Sequence, residues 1–326
     1  MKKIMMGLTL AAAFAMAPPL VLAQFTVPTD GFNNNGTRGA QFLKFPVGAR
    51  AAAMGESFAA VANDASALFW NPAGTGRFKD LEVHLSHVDY LADINYEFAG
   101  LVVPTRAGNL GFSVIMMSMG DEPVTTPSDP TGSSGVTWSA GSFAIGVTYS
   151  RALSDRFSVG LTGKYIQDDV YNSSANTLAI DVGSLYDTGL RGLKIGMAMS
   201  NFGGKMKLSG RDLNLAGDVD LRTSSWPIPL NFRVGLSWEV LLSESGTLLL
   251  AGDFNHPTDA NERLNFGAEY GFRKLLFVRG GYKFNYDEEA FTFGAGLQLS
   301  KFSFDYAYRD FGILGNVPAF SLNLRL

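Results

Sequence analysis

The chain has 326 residues, 17% charged and 46% hydrophobic, with 37 glycines, 25 phenylalanines and no cysteine. The lack of cysteine excludes disulfide frameworks, thiolate metal sites and cysteine nucleophiles, and a net charge of -4 leaves no basic footprint for nucleic acid. A mean hydropathy of +0.09 is too low for a bundle of membrane-spanning helices, and the surplus of glycine and aromatic residues points to β structure.

Residues 1–23 read as an export signal. Lys2 and Lys3 precede an apolar stretch from Ile4 to Ala17, and Val21-Leu22-Ala23 supplies a small-residue cleavage site before Gln24. After Ala23 no run of roughly 18 apolar residues occurs, so no later helix is expected to cross a bilayer.

Residues 24–79 lack strand periodicity. Gly48 to Ala62 (GARAAAMGESFAAVA) is rich in small apolar residues and predicts one or two short helices, broken at Asn63-Asp64. Asn71, Pro72, Ala73 and Gly74 predict a turn. A linker would be polar and rich in Ser and Pro, whereas Ala, Phe and Trp here call for burial. The segment 24–79 is therefore expected to fold as a hatch inside the domain that follows.

From about residue 80 the hydrophobic period becomes two. Phe232, Val234, Leu236, Trp238 and Val240 alternate with Arg233, Gly235, Ser237 and Glu239. Phe302, Phe304, Tyr306 and Tyr308 alternate with Ser303, Asp305, Ala307 and Arg309. In a strand such sets point to opposite faces, one apolar and aromatic, the other polar or glycine. A soluble sandwich also alternates. Segments of roughly 9–12 residues, aromatic residues near segment ends and the export signal select a transmembrane barrel instead.

Fourteen such segments run from 80–88 to 318–326, an even number as bacterial outer-membrane barrels require. Alternate connections are short, while 120–139 and 203–229 are long, so one end of the barrel carries turns and the other loops. With a periplasmic N-terminus the long loops face outside the cell. The predicted fold is all-β: a 14-stranded antiparallel transmembrane β-barrel at 80–326 with an N-terminal hatch. Outer-membrane lipid surrounds it.

The polar face carries charges of both signs, among them Glu82, Glu97, Lys164, Arg233, Asp253, Glu269, Arg279, Lys283, Asp305 and Arg309. Rings of like charge would mark an ion-selective pore; interspersed signs suggest ion pairs, some of them to the hatch. No enzyme signature emerges. His84 and His87 lie three apart on one strand and so on opposite faces, and Gly-Leu-Ser-Trp-Glu at 235–239 lacks the second glycine of a nucleophile elbow. Residues 253–262 lack the glycine and terminal spacing of a calcium loop. No catalytic residue, metal or cofactor is expected.

The loop 203–229 mixes charges with Met206, Leu208, Leu213, Leu215, Val219 and Trp226. Loops of that length usually have a role, and aromatic residues are enriched among binding hot spots. Met206, Leu208, Leu213, Leu215 and Trp226 are accordingly candidate partner contacts.

Several stretches resemble a known family. GARAAAMGESFAAVANDASALFWNPAG (48–74) resembles the N-terminal signature of PorV/PorQ outer-membrane proteins, relatives of FadL-type fatty-acid transporters. FGAEYGFRKLLFVRGGYKF (266–284) and FSFDYAYRDFGILG (302–315) resemble that family's C-terminal strands. The resemblance covers most of the chain after the signal and implies a 14-stranded barrel with a hatch, matching the count above. It also implies a function: binding or shuttling exported cargo proteins, or contacting secretion-system components, in type IX-like secretion. FadL-type kinship implies the alternative, passage of hydrophobic small molecules.

Overall fold

The computed structural model describes residues 36–210, 223–243 and 246–326. The expected signal at 1–23 and the first part of the expected hatch lie outside the described residues.

The strands are β1 (Glu82–Asp89), β2 (Asn95–Thr105), β3 (Gly108–Ser118), β4 (Ala140–Ala152), β5 (Phe157–Val170), β6 (Ser173–Asp187) and β7 (Leu193–Gly203). They continue as β8 (Asn231–Ser243), β9 (Gly246–Pro257), β10 (Arg263–Phe272), β11 (Leu276–Phe284), β12 (Phe291–Leu299), β13 (Phe302–Asp310) and β14 (Asn316–Arg325). Each pairs antiparallel with its neighbours in sequence. β1 pairs with both β2 and β14, which closes a fourteen-strand barrel. Closure removes the unpaired strand edges that an open sheet would expose to lipid.

The alternation of the sequence becomes the two faces of the wall. Leu236 is 50% exposed and Ser237 3%. The same contrast sets Phe304 and Tyr306 outside and Asp305 and Ala307 inside. Outward aromatic pairs such as Phe266–Phe284 and Tyr306–Phe320 pack ring to ring across strands. One residue departs from expectation: its charge predicts Glu97 on the polar inner face. His87 does lie on the face opposite the buried His84, as its spacing requires. Glu97 and His87 lie on the outer face, where His87 Nδ1 meets Glu97 Oε1 at 2.6 Å and Nε2 meets Asp89 Oδ1 at 3.0 Å. Glu97 stands opposite His87 across the β1–β2 pair, so the register sends both out together.

The turns at 106–107, 153–156, 188–192, 273–275 and 300–301 lie at one end of the barrel; the loop 119–139 and the described parts of the other long connection, 204–210 and 223–230, lie at the other. Inside the 119–139 loop, Asp129 forms a small knot. Its carboxylate accepts N–H bonds from Ser133 at 3.0 Å and Ser134 at 2.8 Å. These bonds hold the acid down at about 2.

Between Gly36 and Phe78 the chain makes two short helices, α1 (Ala49–Ala53) and α2 (Ala67–Trp70), and 3-10 turns at Gln41–Lys44 and Pro72–Arg77. Trp70, Phe58, Met54 and Phe42 are among the most deeply buried side chains of the molecule. The wall makes room for them with the glycines of its inner face. An added methyl group at Gly160 would strike Pro72, at Gly183 Asn71, at Gly196 Ala59, at Gly267 Met54 and at Gly281 Gly55.

Candidate functional site

The site is built where the N-terminal segment meets the inner wall. The chain enters at the long-loop end. Gly39 N donates to Pro227 O at 3.0 Å, Ala40 N to Asp168 Oδ2 at 3.0 Å, and Lys44 Nζ pairs with Asp259 Oδ2 at 2.9 Å. It then descends along β1 and β12–β14. Gly48 N donates to Ser86 Oγ at 3.2 Å, Ala49 N to Ser321 Oγ at 3.2 Å and Gly55 N to Thr292 Oγ1 at 3.0 Å. Short polar side chains on the wall thus satisfy backbone groups that the brief helices leave open.

Charges complete the attachment. Arg50 reaches Glu269 through Nε–Oε2 and Nη2–Oε1, both 2.8 Å, and Glu269 also accepts from Arg279, which continues to Asp305 at 2.7 Å. Burial alone would lower the Arg50 guanidinium, but Glu269 overrides it and leaves the pKa raised. Lys283 holds Glu56 at 2.6 Å and pairs with Glu289. Burial would raise the Glu56 carboxyl; Lys283 outweighs it and leaves it below the ordinary carboxylate range. Asp253 Oδ2 accepts from Phe58 N at 2.9 Å and Ala59 N at 2.8 Å. Of the mixed lumen charges, these are the ones that grip the segment.

Asn71-Pro72-Ala73-Gly74 sits at the inner wall of β5 and β6. Asn71 Nδ2 donates to Ala59 O at 2.8 Å and Ser184 O at 3.0 Å, while its Oδ1 caps the following 3-10 turn through Ala73 N at 3.1 Å. One amide therefore ties two stretches of the segment to the barrel. The segment leaves at the short-turn end, where Arg77 Nη1 donates to Asp155 O at 2.5 Å and Asn109 Nδ2 to Phe78 O at 3.0 Å. Sequence periodicity carries no signal for this top-to-bottom path, because it is defined by contacts distant in sequence.

The candidate partner loop divides. Met206 is 1% exposed and faces Trp226 in a two-residue ladder, with its sulfur beside Gly39. It packs inward and offers no outward anchor, since the N-terminal segment already covers it. Leu208 is half-buried against the core and Trp226 half-buried. Leu213, Leu215 and Val219 lie outside the described residues.

Most of the lumen space among the described residues is polar. A cavity of about 300 Å³ opens at the short-turn end, lined by groups that include Arg50, Asp64, Lys194, Glu239 and Ser303. A smaller one of about 40 Å³ lies near the long-loop end among Lys44, Glu56, Arg233, Asn255 and Asp259. A third hollow, about 750 Å³ and apolar, is lined mostly by outward residues such as Leu85, Phe304 and Phe320. The wall is continuously paired; inside the spanning region its register slips between Ile180 and Val182, beside Lys164, Asp181 and Asn201.

A closed fourteen-strand barrel with one apolar face and a segment-filled lumen defines an outer-membrane β-barrel protein. The model of the family "Type IX secretion system protein PorV" matches residues 30–258, and the chain belongs to that family. Among solved structures the fold is similar to the toluene transporter TbuX of Ralstonia pickettii, with a TM-score of 0.55 and 13% identity over 86% of this chain and 98% of that one. It is also similar to the CymD monoaromatic hydrocarbon channel (TM-score 0.55, 12% identity, 86% and 97% covered). The toluene transporter TodX of Pseudomonas putida gives 0.53 at 10% identity, covering 84% and 95%. At such identities the likeness is one of fold. No curated protein sequence matches.

Proposed function

We propose that this PorV-family barrel acts as a non-enzymatic, closed-lumen scaffold of type IX secretion in the outer membrane, binding exported proteins or secretion components at its long-loop face. The observation that carries the reading is the filled lumen. Backbone and side-chain bonds fix the 36–79 segment to both sides of the ring, so this segment serves as a hatch, and the cavities beside it are lined by charged and polar groups. Passage of hydrophobic small molecules, the alternative, needs an apolar route through the lumen. The one register slip within the spanning region among the described residues has polar neighbours instead.

The test is a loop truncation that spares Met206, which packs under the N-terminal segment. Shortening 209–224 should leave heat-modifiable barrel migration intact and reduce recovery of type IX cargo with the purified protein. Unchanged cargo recovery, together with a change in toluene or fatty-acid uptake, would replace the scaffold reading with the conduit reading.

A further inference from the structure

The apolar hollow of about 750 Å³ opens on the lipid-facing side of the wall, where β2, β1, β14, β13 and β12 run side by side. Strand register explains its shape and its rim. In one row across the strands Glu97, His87, Phe320 and Tyr306 stand opposite one another in turn. In the next row toward the short turns come Ala99, Leu85, Leu322 and Phe304. Ala99 and, opposite Tyr306, Ala295 are short where Phe304, Tyr306 and Phe320 are long, so the outer face is indented there.

The rim of this hollow carries charge. His87 and Glu97 line it, and the His87 ring meets Glu97 at 2.6 Å and Asp89 at 3.0 Å. One imidazole stands between two carboxylates, so in either protonation state it offsets at most one of the two negative charges. Both acids stay exposed and open to a further donor. His87 and Glu97 lie two residues from the long-loop ends of β1 and β2, which puts them at headgroup level and not at mid-bilayer. The connections that follow β1 and β3 at this end add Asp93, Asp121 and Glu122. Charges on a membrane-spanning strand are costly against hydrocarbon, and a partner of opposite sign relieves that cost.

We propose that this hollow binds one membrane lipid, a phospholipid whose headgroup ends in a primary ammonium. An acyl chain fills the indentation over Ala99 and Ala295, and the ammonium donates to Glu97 and Asp89. Charge complementarity selects the headgroup: carboxylates attract an ammonium and repel a lipid that offers only phosphate. The indentation selects a flexible chain, which gains contacts on three sides where a convex wall offers one. The inference is independent of the scaffold reading, since a barrel of either proposed function would hold the lipid in the same place.

Native mass spectrometry of the whole protein in detergent tests it, with phosphatidylethanolamine and phosphatidylglycerol of identical acyl chains added in equal amounts. The parent should retain about fivefold more of the ethanolamine lipid, the gain expected of an exposed ion pair. Asp89→Asn combined with Glu97→Gln should abolish that preference. Ala99→Phe combined with Ala295→Phe fills the hollow and keeps the acids, and it should lower retention of both lipids. Heat-modifiable migration should stay normal in each variant. Where a double variant fails to fold, Glu97→Gln and Ala99→Leu singly carry the same comparisons. Equal retention of the two lipids by the parent, or a preference that survives loss of the acids, overturns the ammonium headgroup. Undiminished retention by the filled variant overturns the hollow as the place of binding.

Discussion

Arg50 and Glu269 form a two-point pair, Nε to Oε2 and Nη2 to Oε1, each at 2.8 Å, between the N-terminal segment and the inner wall of β10. The side chains are 16% and 7% exposed. A planar fork matched to a carboxylate fixes angle as well as distance, so this pair locates α1 against the wall, where a loose apolar contact would let it slide.

Removing one partner leaves the other charge buried. Arg50→Leu leaves Glu269 paired with Arg279, so it should destabilise by less than the roughly 3–5 kcal/mol of a pair broken to leave an uncompensated buried charge. Thermal melts in detergent would measure it, and protease should then reach Phe69 and Trp70, which the intact protein protects. In planar bilayers the parent should conduct weakly and the variant more. A variant as stable and as closed as the parent would show that the pair does not hold the N-terminal segment.

Gly281 tests the close approach of the wall and the N-terminal segment. A methyl group there would overlap the backbone of Met54 and Gly55, so Gly281→Val should expel this part of the segment while the fourteen-strand ring still forms. Heat-modifiable migration should persist, and cleavage within 48–74 should increase. Gly163→Val is the matched control, because nothing lies within contact distance of a methyl group at that position.

The outer face should reject charge. Leu236→Arg, near the middle of β8 and 50% exposed to the membrane side, is expected to destabilise insertion by about 2–4 kcal/mol in lipid-vesicle folding assays. Ser237→Arg should cost less. Ser237 borders the polar cavity of about 300 Å³, which offers a guanidinium polar neighbours, although the hydroxyl bond to Ala60 O at 3.1 Å is lost. The reverse order of effects would mean the two faces are misassigned.

The Asp129 knot gives a pH dependence of known sign. Its folded value of about 2 lies below the ordinary aspartate value of ~3.9. The order it confers is therefore complete above the ordinary value and is lost as pH falls toward about 2. Amide exchange at Ser133 and Ser134 should accelerate across that window, and Asp129→Asn should remove the pH dependence. Exchange that does not vary with pH beyond its chemical rate would count against the knot.

The period-two pattern by itself determined the strands, their count and the facing of most side chains. In a barrel wall one face must meet lipid and the other must not, and each residue's parity decides which. The fourteen segments read from the sequence agree with the observed strand ends to within three residues. Composition at 48–74 likewise marked a buried segment, because Phe58 and Trp70 cannot stay in water without cost. Charge alone reads Glu97 onto the polar inner face; its pairing opposite the outward His87 across β1 and β2 put it outside. Tertiary structure alone decided the path of the N-terminal segment from Gly39 beside Pro227 to Arg77 beside Asp155, which lumen charges grip it, and the inward turn of Met206. Those depend on bonds between residues tens to hundreds of positions apart, and a local hydrophobic period contains no term for such distances.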